Sequence, residues 1–307
     1  MARSAHEICL DKYSGPRLGQ RLPLFEMTDW KTKQNRDGGW AYNKGCSWTE
    51  PTAFVLLAQS VTQVDRASFE AGLKFLRSTQ RSDGGWSPQT DVAESTWVTA
   101  VAALLPEEAI GADRLKRAVE WLEGQTGRES GWSYRLQQMI HGNNEKNPEG
   151  WPWFPGAAAW VIPTSLGILA FQRALTRGEN RSLRDRVSAG REFLFARMCA
   201  DGGWNHGSNR ALGRDGDSYP ETTGIALTAL HNAAHQGKKE TEMVLRAKTA
   251  ARRHLVTCRT AEGIAWLRIG MAAQGEVMQV DSPPVPRTIM DAALTAISYA
   301  SRNPLLS

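Results

Sequence analysis

Hydrophobic positions along this 307-residue chain fall into two alternating patterns. In the first, apolar residues recur at i, i+3, i+4 and i+7 among polar ones. Residues 66–79 put Phe69, Leu73 and Leu76 on one face, residues 113–125 put Leu115, Ala118, Val119 and Leu122 on one face, and residues 184–198 do the same with Val187, Phe193 and Leu194. That spacing predicts helices with a single buried stripe. In the second pattern the residues are apolar nearly all round, over 51–60, 95–105, 163–175, 222–234 and 288–299. A helix apolar on every side is buried on every side. An amphipathic ring around a hydrophobic ring is a double-layered α/α barrel.

A repeated corner joins each pair. It reads Asp37-Gly38-Gly39-Trp40, Asp83-Gly84-Gly85-Trp86, Glu129-Ser130-Gly131-Trp132 and Asp201-Gly202-Gly203-Trp204, with a worn fifth copy over residues 262–266 ending in Trp266. An apolar residue (Trp30, Phe75, Trp121, Phe193 or Leu255) precedes each Trp by 10 or 11 positions. Self-similarity at this period marks a repeat architecture. Glycines end helices and turn the chain, and the Trp then pins the turn. The expected fold is therefore an all-α (α/α)5–6 toroid forming one domain over residues 1–307. Five helix pairs are clear, and the weakly patterned residues 1–29 leave the sixth open. Segments 133–159 and 205–220 exceed the ~12–15 residues beyond which loops are usually functional or disordered. Trp151, Trp153 and Phe154 in the first of them argue for an ordered lid, with packing on the barrel rim as the alternative.

Charge and cysteine usage narrow the function classes. The net charge of +5 is scattered, and the densest basic run, residues 238–254, also carries Glu240 and Glu242. Without a clustered basic stripe a nucleic-acid partner is not expected. Cys9, Cys46, Cys199 and Cys258 form no CxxC pair, which fits reduced thiols. No apolar run approaches the ~18 residues of a membrane span, and no apolar signal core is evident. The expected setting is cytoplasmic.

Phe75, Gln80, Gly84 and Trp86 in AGLKFLRSTQRSDGGW resemble the QW repeat of squalene–hopene and oxidosqualene cyclases. RAVEWLEGQTGRESGW matches with a one-residue shift (Trp121, Gln125, Trp132), AGREFLFARMCADGGW has Met198 in place of the Gln, and Trp30, Gln34 and Trp40 give a shortened copy. The resemblance covers nearly the whole chain. It implies a toroid with a central cavity, as in terpene cyclases and protein prenyltransferase β subunits. The chain departs from both branches. It lacks the Asp, Cys and His set that holds zinc in prenyltransferases, and the DDxxD and NSE-type sets of class I synthases. The DxDD proton-donor segment of class II cyclases has its nearest analogue in Asp91-Val92-Ala93-Glu94, where Ala93 replaces the central acid.

A second repeat precedes the inner helices. Glu50-Pro51-Thr52, Glu94-Ser95-Thr96 and Glu221-Thr222-Thr223 are read as one repeat position, so Glu50, Glu94 and Glu221 should converge at one mouth with Asp91 and Asp217 nearby. Such acids also cap helices and favour the ionised form there, by ~0.3–1 kcal/mol each. Crowded like charges push one pKa upward instead. Trp48, Trp97 and Trp160 sit at inner-helix starts, Tyr219 precedes Glu221, and His206 and His141 lie on the long loops. An aromatic cavity suits carbocations or a polyisoprene chain, and plain packing explains the same residues. The expected activity is a class II-like isoprenoid cyclase or isomerase with an acid from Glu94, Asp91, Glu221 or Glu50, Glu94 being favoured. Trp48, Trp97, Trp160, Tyr219, His206 and Asp217 would contact substrate, and no metal or other cofactor is needed. The partner is an isoprenoid or other hydrophobic small molecule, met in solution or at a membrane surface. A homodimer is one way an incomplete barrel would close. A non-catalytic isoprenoid or lipid carrier and a protein-interaction scaffold are the alternatives on the same fold.

Overall fold

The structure, a computed structural model, describes residues 29–62, 65–131, 148–211, 214–233 and 237–306. In chain order the helices are α1 (Thr49–Val61), α2 (Arg66–Thr79), α3 (Val98–Ala103), α4 (Glu107–Ile110), α5 (Ala112–Glu123), α6 (Val161–Leu175), α7 (Arg181–Ala196), α8 (Pro220–Ala229), α9 (Lys238–Thr257), α10 (Ala261–Ala273) and α11 (Ile289–Tyr299). The nearly continuous apolar helices form the inner ring. In α1 every residue from Pro51 to Gln59 is buried, and α3 is buried throughout. The inner helices pack in the order α1, α3, α6, α8, α10, α11, and α11 returns to α1, so six helices close the ring. The amphipathic helices lie outside: α2 on α1, α5 between α3 and α6, α7 on α6, and α9 between α8 and α10. Each outer helix turns a sparse apolar stripe inward, such as Leu73, Phe75 and Leu76 of α2. At one point the inner ring is tighter than side chains allow. A Cβ on Gly224 of α8 would lie 2.3 Å from the backbone of Trp266 in α10.

Each corner is built from the same bonds. The indole N–H groups of Trp40, Trp86 and Trp204 donate to the carbonyls of Trp30, Leu76 and Leu194, at 2.8, 2.8 and 2.6 Å. Their backbone N–H groups donate to Thr52, Thr99 and Thr223 on the inner helices, at 2.9, 2.8 and 3.1 Å. Asp37, Asp83 and Asp201 accept from the second glycine of each pair and from Ser47, Ser95 and Ser218. The Gln80 amide donates to Gly84 and to Arg114 of α5, tying the corner to the next outer helix, and Gln34 does the same with Gly38 and Ser68. Gly84 has φ +95°, which L side chains avoid, and a Cβ there would meet the Arg117 carbonyl oxygen at 2.6 Å.

Two corners differ from the sequence reading. In the third unit the corner tryptophan is Trp151. Its indole donates to Leu122 and its backbone N–H to Thr164, both at 2.9 Å. Glu129 still serves this corner by accepting from the Ala159 N–H, so an insertion separates the acid from its tryptophan. Trp132, expected in that role, and His141 lie outside the described residues. Trp151 is thus core rather than lid, while Phe154 is exposed. The fifth corner does not exist as a corner. Only residues 258–260 separate α9 from α10, and Trp266 sits within α10, buried against Phe54 at 5.8 Å between ring centroids. The long 205–220 segment holds a two-residue hairpin, Arg210–Ala211 with Arg214–Asp215. No described helix is long and apolar enough to cross a membrane.

Candidate active site at the inner-helix mouth

The corner tryptophans set the register of the inner helices. Trp48, Thr96, Trp160 and Tyr219 each donate a backbone N–H to the carbonyl of their corner tryptophan, at 2.9, 2.9, 3.1 and 2.8 Å. Two residues further on come Glu50, Val98, Ile162 and Glu221. In α10 and α11 the residues two beyond the caps Thr260 and Thr288 are Glu262 and Met290. All of these except Val98, whose place is taken by its neighbour Trp97, line one cavity of about 350 Å³. Carboxyl groups of Glu50, Glu221, Glu262 and Asp291 line it together with Tyr42, Phe54, Trp97, Trp153 and Trp266, and Ile162, Leu166, Ile225 and Met290 complete its apolar part. Among the described lining residues there is no Lys, Arg or His.

The four carboxyls are held differently. The Tyr42 hydroxyl donates to Glu50 Oε2, and the other oxygen, Oε1, has no partner among the described residues. Glu221 Oε1 accepts from the Thr260 hydroxyl at 3.2 Å. Asp291 completes a capping box with Thr288. Burial pushes the Glu50 carboxyl up to about 7; the Tyr42 hydrogen bond pulls the other way and the Glu262 charge adds to the rise. Glu262, open to the mouth, is also raised, first by partial burial and then by the charges of Glu221 and Asp291. The Tyr42 hydroxyl is pushed far up by burial and by Glu50 beside it. A carboxylic acid half protonated near neutral pH, facing indole rings, can deliver a proton into an apolar cavity. No group of three His, Cys, Asp or Glu side chains close enough to hold a metal occurs among the described residues.

The structure brings together Glu50, Glu221 and Trp97 from the sequence-predicted set. It places the others elsewhere. Glu94 precedes Thr96 by two residues, whereas Glu50 and Glu221 follow the equivalent residues by two, so Glu94 is offset by four positions from them. Glu94 and Asp91 are exposed on the loop before α3, do not line the cavity, and the loop is fastened by Arg81, which donates to the Ala93 carbonyl at 2.5 Å. Trp48 packs edge-on against Tyr42, with centroids 5.3 Å apart. Trp160 belongs to a separate cleft with Arg128 and Arg197. Tyr219 and His206 lie ring to ring at 5.4 Å on the rim, and Asp217 is exposed beside them. Tyr42, Glu262, Asp291, Trp153 and Trp266 enter the site without having been predicted. Glu262 had been absorbed into the supposed fifth corner.

A serine, a histidine and an aspartate also meet. Ser218 Oγ donates to Asp201, and His254 Nε2 is 2.7 Å from the same oxygen. The acid holds the serine rather than orienting the histidine, the reverse of a hydrolytic triad. The same Asp–Ser pair recurs at Asp37–Ser47 and Asp83–Ser95, so this is a corner joint.

No protein-family model matches the sequence, and no curated protein matches it. Solved structures match by shape. The chain is similar to the type II terpene cyclase MstE from Scytonema, seen as a variant in complex with its substrate geranylgeranyl dihydroxybenzoate. The TM-score is 0.53 at 16% identity, over 87% of this chain and 73% of that one. It is also similar to a GH76 α-mannanase of Bacteroides thetaiotaomicron (TM-score 0.54, 9% identity, 82% and 84% covered). A third match is cellobiose 2-epimerase from Spirochaeta thermophila (TM-score 0.54, 11% identity, 87% and 79% covered). Three different chemistries share this architecture, and at such identities the likeness concerns fold and not activity. The chain has the α/α toroid fold of these enzymes.

Proposed function

We propose that the toroid is a class II-like isoprenoid cyclase or isomerase in which Glu50 is the proton donor. The observation that carries this reading is the Glu50 carboxyl itself. It is half-buried at the cavity mouth, held by Tyr42, raised to about 7, and lines the cavity with Trp97, Trp153, Trp266 and Phe54. Glu50 Oε1–H adds its proton to one carbon of an alkene, and the π pair forms the new C–H bond. The other carbon becomes a carbocation. Attack by a neighbouring alkene closes a ring and moves the charge along the chain, beside aromatic faces that attract it. Loss of a proton from the last cation, to water or to a mouth carboxylate such as Glu221 or Glu262, restores a neutral product and the proton count. Glu50 takes this role in place of Glu94 because Glu94 and Asp91 do not line the cavity.

The experiment is incubation with polyprenyl compounds of several lengths and head groups, followed by mass-spectrometric search for cyclised or isomerised products. Wild type forms product, and Glu50→Gln loses it by at least ~10²-fold while remaining folded. Full activity of Glu50→Gln overturns the assignment. Ligand retention without turnover by the wild type supports the carrier alternative instead. The open cavity favours either of these over a scaffold with a filled core.

A further inference from the structure

We infer that Tyr42 is a positioning residue for the acid, fixing which carboxyl oxygen of Glu50 carries the transferable proton. The reading of Glu50 as the donor is taken from the proposed function. The argument begins with a backbone clamp that repeats around the ring. The residue two beyond each corner tryptophan accepts a hydrogen bond from the start of the neighbouring inner helix. Pro88 accepts from Thr49, Trp153 from Trp97, His206 from Val161, and Tyr42 from Ile289, at 2.9, 3.1, 2.9 and 3.0 Å. The last of these joins the first corner to α11, where the ring closes. The Tyr42 carbonyl is therefore held by the start of α11, and Trp48 backs its ring edge-on. Of the four clamp residues, Tyr42 is the one whose side chain reaches an inner-helix acid.

The chemistry follows from one hydrogen bond. The Tyr42 O–H donates to Glu50 Oε2, so that oxygen is an acceptor and the acid proton sits on Oε1. Once the proton has left, the same O–H becomes a charge-assisted bond to the carboxylate, which is stronger than the bond to the neutral acid. Tyr42 thus lowers the proton affinity of an acid that burial raises. The other groups facing Glu50 are the mouth carboxyls Glu262 of α10, Glu221 of α8 and Asp291 of α11.

The test reads Glu50 directly, without turnover. Infrared difference spectroscopy of the full chain is titrated with pH, and the Glu50 band is the protonated-carboxyl C=O stretch missing from Glu50→Gln. Tyr42→Phe keeps the ring against Trp48 and removes only the hydroxyl. The expected result is a roughly tenfold rise in Glu50 proton affinity, one pH unit in the midpoint. A midpoint that stays in place or moves down overturns the inference, as does the absence of any Glu50 band. If Tyr42→Phe does not fold, the reciprocal titration decides. In the wild type one tyrosine C–O stretch should shift at the pH at which the Glu50 band is lost, and in Glu50→Gln it should stay fixed; tyrosine bands indifferent to that pH step in the wild type would equally overturn it. A shifted band in a protein that turns over no polyprenyl compound keeps Tyr42 as the positioning residue and rejects the cyclase reading.

Discussion

Glu50→Gln should stabilise the protein, and only above acidic pH. A carboxyl raised from an ordinary 4.5 to about 7 gives up its proton reluctantly in the folded state. Between those two values the folded chain binds more protons than the unfolded chain, so stability falls as pH rises through that window. Below pH 4.5 both states hold the proton and nothing is lost. Above pH 7 the full penalty applies. At ~1.4 kcal/mol per pH unit the gap corresponds to roughly 3 kcal/mol. Contact with cavity water relieves part of it, so about 2 kcal/mol is expected. Gln keeps an acceptor for the Tyr42 hydroxyl and carries no charge to bury. Urea unfolding of both proteins at pH 4.5 and pH 8 measures the effect, since the midpoint moves with stability while the slope stays fixed. The expected outcome is a gain of about 2 kcal/mol at pH 8 that vanishes at pH 4.5. A gain independent of pH would trace to packing, and a variant less stable than wild type at pH 8 would refute the buried-acid argument.

Trp151→Ala should cost about 3–5 kcal/mol, as for other fully buried aromatics, and Trp151→Phe about 1–2, since it loses the indole bond to a Leu122 carbonyl that still accepts from Gln125 and keeps a ring against Phe171; urea melts separate the two. Gly84→Ala should cost about 3 kcal/mol, because it combines strain at φ +95° with a clash against the Arg117 carbonyl, and a loss within experimental error would show that the corner can shift. Glu94→Gln and Asp91→Asn should leave product formation within about twofold of wild type, whereas Glu50→Gln removes it; the reverse order would return the donor to the loop before α3.

The sequence shows three of the corners clearly because each is made of the same chemical set: an acid, two glycines, a tryptophan and an inner-helix threonine. It misleads where spacing carries the meaning. The insertion after Glu129 begins with Ser130-Gly131-Trp132 and ends on Glu149-Gly150-Trp151, and the local string cannot tell which indole reaches Leu122. Trp266 keeps its distance from Leu255 although only residues 258–260 separate α9 from α10 and no corner intervenes. Glu94 is misaligned for a related reason. From corner tryptophan to the residue bonded back to it, the four loops differ in length, 40 to 48, 86 to 96, 151 to 160 and 204 to 219. Counting back from an apolar run therefore lands on different positions in different units. Tyr42 shares the position two beyond a corner tryptophan with Pro88, Trp153 and His206, but no residue type repeats there, and its bond from Ile289 comes from ring closure.

The toroid gathers six helix N-termini at one opening, and this bears on why an acid there can stay protonated. Each terminus favours a carboxylate, by ~0.3–1 kcal/mol within the first turn. Glu221, Glu262, Glu50 and Asp291 all occupy such positions. Dipoles alone would leave all four ionised. At Glu50 burial works against its dipole and outweighs it, and the Glu262 charge adds to burial. The Tyr42 hydroxyl returns part of the difference to the ionised form. The net position near 7 is a balance of opposing effects rather than the mark of a single neighbour. Removing one contributor therefore moves the midpoint without abolishing it. Glu262→Gln should lower the Glu50 midpoint and Tyr42→Phe should raise it. The two shifts should oppose and add in the double variant, with the Tyr42 effect the larger, because a corner residue and a residue of α10 act on Glu50 through different interactions.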